Sequence, residues 1–271
     1  MPASAPLRFP AAICRHRELW WQLTVREVTG RYRGSVLSWG WSFITPLLML
    51  AVYTFVFSTV FRARWGDLEN QGSLGFAVNL FAGMIAFGLF SESVTQAPGL
   101  VLAKPSYVTK VVFPLEILAA VNVAAATIHA LSSLAVLAVF TLLAMQQIPV
   151  TMLWIPLVWL PLVGGCLAFS WLLSALGVFL RDVGHVVGVA CNMLMFLSAV
   201  FYPLSALPDR WQPWLGLNPL VAVIEQTRRV AVQGLAPEPD YLALGTLVGL
   251  VGCEVGFRCF QRARRGFADV L

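Results

Sequence analysis

The stretch REVTGRYRGSVLSWGWSFITPLLMLAVYTFVFSTVF, residues 26–61, changes character partway along. Arg26, Arg31 and Arg33 fall in its first part, and from Gly34 onward no charged side chain occurs until Arg62. About 20 mainly apolar residues are enough for a helix to cross the roughly 30 Å hydrocarbon core of a bilayer. The stretch therefore reads as a basic segment at a membrane surface feeding a spanning helix.

The rest of the chain repeats the pattern. Of its 271 residues, 59% are hydrophobic and 11% charged, against roughly 45–50% and about 25% in a soluble globular domain. Six segments are candidate spans: about Trp39 to Phe61, Phe76 to Ser93, Leu115 to Ala144, Met152 to Phe179, Val183 to Phe201, and Tyr241 to Phe260. The third and fourth are long enough to tilt or project, and Pro156 with Pro161 predicts a kinked or delayed start for the fourth. The fold class expected is all-α integral membrane, with an arm over residues 1–38, a six-span domain over 39–260 and a basic tail over 261–271.

With six spans both ends share one side. Sorting Lys and Arg by loop puts 13 of the 18 on that side and only Arg62, Arg64, Arg210, Arg228 and Arg229 on the other. Cytoplasmic loops carry the Lys/Arg excess, so both ends are expected in the cytoplasm of a multi-pass protein of the inner membrane. The net charge of +5 then encodes topology, not nucleic-acid binding. The first 38 residues hold no short apolar core ending in a small-residue cleavage site, so no secretory signal peptide is expected. Cys14, Cys166, Cys191, Cys253 and Cys259 form no CxxC pair and are odd in number. They read as small buried side chains, not as a disulfide framework or a zinc site.

On a helix, Trp21, Val25, Val28 and Tyr32 form one apolar stripe, while Gln22, Arg26 and Arg33 point elsewhere. This predicts an amphipathic helix at the cytoplasmic interface, either a topogenic anchor or a docking surface for a cytoplasmic partner. The loop APGLVLAKPSYVTKVVFPLE, residues 97–116, is bracketed by Pro98, Gly99, Pro105 and Pro114. It suits a short helix or turns rigidly joined to two spans. Farther on, residues 201–234 are too polar and proline-broken to span, yet too apolar for a solvated loop. Backbone at membrane depth must be covered or line a cavity, which predicts a re-entrant helical hairpin with two short pieces separated near Trp211 to Asn218.

No catalytic constellation is present: no P-loop, no HExxH and no GxSxG occurs. ATP with its Mg, if used, belongs on another chain, and no cofactor or metal site is expected in this one. Charges in or near spans are costly in lipid and hence candidate functional groups. Glu92 and Glu116 lie near span ends and read as structural, as does His129, an interhelical hydrogen-bonder. Glu254 has Arg258 one turn later as a partner. Aromatic residues Trp39, Trp41, Tyr53, Phe57, Phe87, Phe90, Phe201 and Tyr202 are candidates to line a passage, because sugar rings present apolar faces to aromatic side chains.

Five phrases in order carry a resemblance: RYRGSVLSWGWSFITPLLMLAVYTFVFSTVF (31–61), LAKPSYVTKVVFPLEIL (102–118), LGVFLRDVGHVV (176–187), AVFYPLSALP (199–208) and LNPLVAVIEQTRR (217–229). Together they resemble the permease subunits of polysaccharide-exporting ABC transporters, which move O-antigen, teichoic-acid and capsule chains. Ser38 departs from the glycine common at that position. The resemblance implies a homodimer on two copies of a cytoplasmic ABC ATPase, exporting an undecaprenyl-linked, O-antigen-like glycan at the dimer seam. It implies an ATPase interface at Trp21, Arg26, Arg31, Tyr32, Arg33, Lys104, Tyr107 and Lys110. Arg181 and Asp182 match the family's RD motif as a loop ion pair, and Pro203, Pro208, Trp211, Trp214, Asn218 and Pro219 an outer gate. Competing expectations are an ABC permease for drugs or small lipids, an ATP-independent secondary transporter, and a membrane scaffold. The transporter without ATP is disfavoured by the few intramembrane charges and by the lack of a visible inverted repeat.

Overall fold

The structure, a computed structural model, describes residues 9–31, 40–56, 72–109, 113–146 and 148–270. Described residues form helices and no strands. In chain order the α-helices are α1 (Phe9–Arg15), α2 (Arg17–Gly30), α3 (Trp41–Thr54), α4 (Gly72–Gln96), α5 (Gly99–Leu102), α6 (Ser106–Thr109), α7 (Ile117–Met145), α8 (Ile155–Val158), α9 (Leu160–Phe179), α10 (Val183–Leu197), α11 (Gln212–Gly216), α12 (Pro219–Ala231), α13 (Pro239–Ala263) and α14 (Phe267–Val270).

Four helical segments are long and apolar enough to cross a membrane: Gly75–Gln96, Ile117–Leu143, Val150–Phe179 and Pro239–Val270. Two shorter apolar helices are α3 and α10. At 15 residues α10 is about 22 Å long. It ends at Leu197, short of the expected Phe201, because the chain turns there and Ala199 takes φ 53°. The segment Val150–Phe179 is interrupted near its start, the kink that Pro156 and Pro161 predict. A 3-10 turn over Val150–Trp154 leads into α8, and α9 begins only at Leu160.

Helix α4 is the centre of the bundle: 78% of its most apolar stretch is buried, against 22% for that of Pro239–Val270. It is enclosed by α7, α9, α10, α12 and α3. Such burial suits its composition, apolar on most sides with small residues Ala77, Ala82, Gly83 and Ala86 among the larger ones. By contrast α13 presents one face to α9. A Cβ on Gly249 would lie 3.2 Å from Pro161 O, and one on Gly256 would lie 2.7 Å from Ala168 O. Small residues at this seam let the two backbones approach, the usual source of helix association where lipid removes the hydrophobic drive. Cys253 Sγ donates to Gly164 O across it at 3.1 Å.

Cys166, Cys191 and Cys253 are buried as expected, whereas Cys14 and Cys259 are exposed, because they fall on helix faces that no neighbour covers. Phe9 and Ile13 of α1, Tyr107 and Phe113 of the loop after α4, and Phe260 and Phe267 share one apolar cluster. Hence α1, that loop and α14 lie on one side of the bundle. Glu254 accepts from Arg258 Nε at 2.8 Å, the pairing its i,i+4 spacing predicts.

Candidate functional site

Helix α2 packs on α7 beside α1. Its apolar stripe is split. Val28 and Thr24 are buried on the side where α2 packs against α7, while Trp21 and Val25 remain exposed. Thr24 can be buried because its hydroxyl donates to Trp20 O at 2.8 Å. The outward surface of α2 thus carries Trp21, Val25 and Arg26 together.

Arg31 follows the helix and turns inward. Its Nη1 is 2.8 Å from Glu92 Oε1. His129 Nδ1 lies 2.8 Å from the same carboxylate oxygen and 2.8 Å from Arg31 Nη1. Glu92 accepts from Arg31 Nη1, and His129 Nδ1 lies within hydrogen-bond distance of both. One carboxylate therefore joins α2 to α4 and α7. Sequence reading gave His129 and Glu92 separate structural roles and Arg31 a docking role. The spacing of 37 and 98 residues between partners left no local signal that the three meet.

The loop after α4 reaches α2 through Lys104 Nζ and Glu27 Oε2, 3.9 Å apart, the lysine half-buried and the glutamate exposed; a pair of this kind contributes little energy but puts the two expected docking elements side by side. Tyr107 stacks on Phe113 with ring centroids 4.4 Å apart. At the loop's start, α9 comes so close that a Cβ on Gly177 would sit 2.3 Å from Pro98 O. At its end Trp171 Nε1 donates to Glu116 O at 2.9 Å. Tyr32, Arg33 and Lys110 lie outside the described residues.

Elsewhere in the bundle, residues 203–231 carry α11 and α12. Asn218 starts α12: its Oδ1 accepts the Leu220 N–H at 3.0 Å with Pro219 at the first helical position, a strong N-terminal signal. Its Nδ2 donates to Leu197 O and Ser198 Oγ, so the same residue fixes the end of α10. Thr151 Oγ1 donates to Val230 O at 2.7 Å, and Trp159 Nε1 to Thr227 Oγ1 at 3.1 Å.

Deeper, Arg228 is 0% exposed. Its Nε donates to Asn79 O, Nη2 to Val200 O and Nη1 to Glu225 Oε1, at 3.1, 2.6 and 3.0 Å. Room for the guanidinium exists because residue 83 is glycine: a Cβ there would lie 2.6 Å from Nη2. The left-handed Ala199 immediately precedes the accepting carbonyl of Val200.

The segment before α12 is different in kind. Pro203 precedes a 3-10 turn over Leu204–Ala206, Pro208 follows it, and α11 begins after Trp211. Trp211, Trp214 and Leu217 are exposed, Trp214 to 70%. Arg210 sits with its guanidinium carbon 5.5 Å from the Trp211 ring centroid.

Among the expected passage aromatics, Phe87 and Phe90 belong to the main apolar core, and Phe90 makes an edge contact with Phe169 at 6.1 Å. They pack between helices, since the face of α4 that carries them is covered. Tyr53 and Phe201 form a tilted pair at 6.4 Å, and Tyr202 donates its hydroxyl to Phe196 O. Trp41 is partly exposed at the start of α3. Trp39 and Phe57 lie outside the described residues. Arg181 and Asp182 are both exposed in the turn before α10, where Asp182 O accepts from His185 N at 3.0 Å. Among the described residues no ion pair joins them: two solvated neighbours gain little by pairing.

The family model described as ABC-2 type transporter matches residues 18–231. The chain is 27% identical to an O-antigen export system permease protein RfbA of Myxococcus xanthus over 267 residues, 98% of this chain and 100% of that protein. A protein of the same description from Klebsiella pneumoniae is 25% identical over 252 residues, 92% of this chain and 93% of its own length. The polysialic acid transport protein KpsM of Escherichia coli is 25% identical over 237 residues, covering 84% of this chain and 88% of its own. The apolar helices and the match over most of the length agree: this multi-pass membrane protein belongs to the ABC-2 type transporter family.

Proposed function

We propose that the chain is the membrane-spanning permease subunit of an ATP-driven exporter that carries an O-antigen-like, undecaprenyl-linked glycan across the inner membrane. The observation that carries the reading is the near full-length similarity to O-antigen export permeases, aligned with a face that groups α2 and the loop after α4. On this reading six spans place both ends in the cytoplasm, in keeping with the Lys/Arg distribution. Two copies meet at a seam that forms the passage. The exposed apolar faces of α3 (Leu47, Leu48, Val52) and α10 (Val186, Val189, Met193) are available to a second copy or to lipid.

Two ATPase subunits, holding the ATP and its Mg, dock on Trp21, Val25 and Arg26 of α2 and on α5 and α6. ATP binding draws them together and displaces these elements. Motion can pass to the spans only through contacts that differ between two states. Arg31, joined to Glu92 and His129, gives α2 a direct hold on α4 and α7. On the far side α12 is fastened to α4 and to the start of the fourth span, so opening falls to α11 and residues 203–217.

The test is recovery of the ATPase with the affinity-tagged, co-expressed permease. Trp21→Ala with Arg26→Glu removes an exposed aromatic anchor and reverses a charge, and is expected to lower the recovered ATPase about tenfold. Arg31 is left intact, because reversing it would also break its tie to Glu92. Full recovery of the ATPase with undiminished export contradicts the proposed interface.

A further inference from the structure

We propose that Arg264 and Phe267, just after α13, seat the loop between α4 and α7 and so set how much ATPase motion reaches the spans. The coupling half of this rests on the functional reading above; the seating does not.

A basic segment after a final span needs only its charge to fix topology, and would be expected to lie solvated. Arg265, Ala268, Asp269 and Val270 are exposed, but Arg264 is half-buried and Phe267 is buried. Arg264 Nη1 donates to Glu116 Oε2 at 2.9 Å and Nη2 to Phe113 O at 3.0 Å, partners 148 and 151 residues away. The planar fork of a guanidinium serves two acceptors at once, which an ammonium on a flexible stem does not reproduce. Glu116 is 12% exposed at its side chain, so this pair is shielded more than an ordinary surface ion pair. Its carbonyl is meanwhile held by Trp171. The end of the loop is therefore gripped from the last span and from α9 at the same residue.

Three residues farther, Phe267 is fully buried. Its ring lies 5.6 Å from Phe260 and 5.9 Å from Phe179, and α14 rests against α6. Phe267 shares its apolar cluster with Val101, Leu115, Tyr107 and Phe113, residues of the loop and its flanks. The loop's start is already pressed against α9 at Gly177 and Pro98. With Arg264 and Phe267 holding its end, the loop moves as part of the span ends and does not give way to a push.

The experiment uses the full-length permease with its ATPase in lipid nanodiscs and reads two quantities. One is amide hydrogen exchange over residues 99–109 and 113–118; the other is glycan transported per ATP hydrolysed. Arg264→Ala is expected to speed exchange in both windows about tenfold while α10 is unchanged. It should lower glycan per ATP about fivefold with the ATPase still bound. Arg264→Lys, which keeps one donor, should fall between, as should Phe267→Leu. Unchanged exchange in these variants overturns the seating. Faster exchange with an unaltered transport-to-hydrolysis ratio, including a parallel fall of both activities, overturns the coupling role. A wild-type complex that binds the ATPase yet moves no glycan overturns the functional reading instead, and exchange alone then decides the seating.

Discussion

Arg228→Met is expected to destabilise the bundle by about 3–5 kcal/mol, the usual cost of removing one partner from a buried charged network. The variant strands Asn79 O and Val200 O without their donor, and leaves Glu225 without its 3.0 Å partner. Buried acceptors that lose a donor carry the full desolvation penalty. Arg228→Lys is expected to recover only part of the loss, since one ammonium cannot reach three acceptors placed around a planar fork. The control is next door. Arg229 donates to Ala236 O and pairs with Glu238 at 3.1 Å, with both side chains substantially exposed, so Arg229→Ala should cost below about 1 kcal/mol. Thermal unfolding of the purified variants in one detergent separates the two arginines. Equal shifts for both would show that the burial of Arg228 is not what fastens α12.

Gly177→Ala is expected to be nearly as damaging although it adds one methyl group. The new Cβ would stand 2.3 Å from Pro98 O and 2.9 Å from its carbonyl carbon and Cα. Those neighbours are backbone, so no side chain can swing aside. Helix α9 or the Pro98 turn must move, and overpacking of this kind costs about 1–3 kcal/mol or more. Because the displaced turn begins the loop proposed to meet the ATPase, export should fall further than stability, by an order of magnitude or so. Gly165 is the matched control on the same helix, with nothing within 4 Å of its Cβ position. Gly165→Ala should therefore leave both melting temperature and surface glycan unchanged. Indifference to both substitutions would mean that α9 and the loop do not approach as closely as described.

Much of the architecture was legible because it is written locally. Apolar runs mark the helices, Pro156 and Pro161 break the start of the Val150–Phe179 segment, Asn218 with Pro219 starts α12, and Glu254 finds Arg258 one turn away. Features that escaped the sequence depend on partners far along the chain. Arg228 reads as one of two adjacent loop charges. Its burial is created by Gly83 and the Asn79 carbonyl on α4, 149 residues from it in the case of Asn79. Arg31 reads as a docking charge, and only the fold brings it to Glu92 and His129. The stripe on α2 divides because periodicity groups Trp21, Val25 and Val28 without specifying which neighbour covers them. Helix α7 takes Val28 and, against hydrophobicity, Thr24. Phe87 and Phe90 suggest a passage by composition but pack inside, since α4 proves to be surrounded.

Export of a lipid-linked glycan by this chain is tested by mass spectrometry of lipid extracts from cells lacking it. An undecaprenyl-linked glycan should accumulate in the deletion strain while surface glycan is lost, and both should be reversed by the intact gene but not by the Gly177→Ala variant. Surface glycan at the normal level, with no accumulated precursor in the deletion strain, would contradict it.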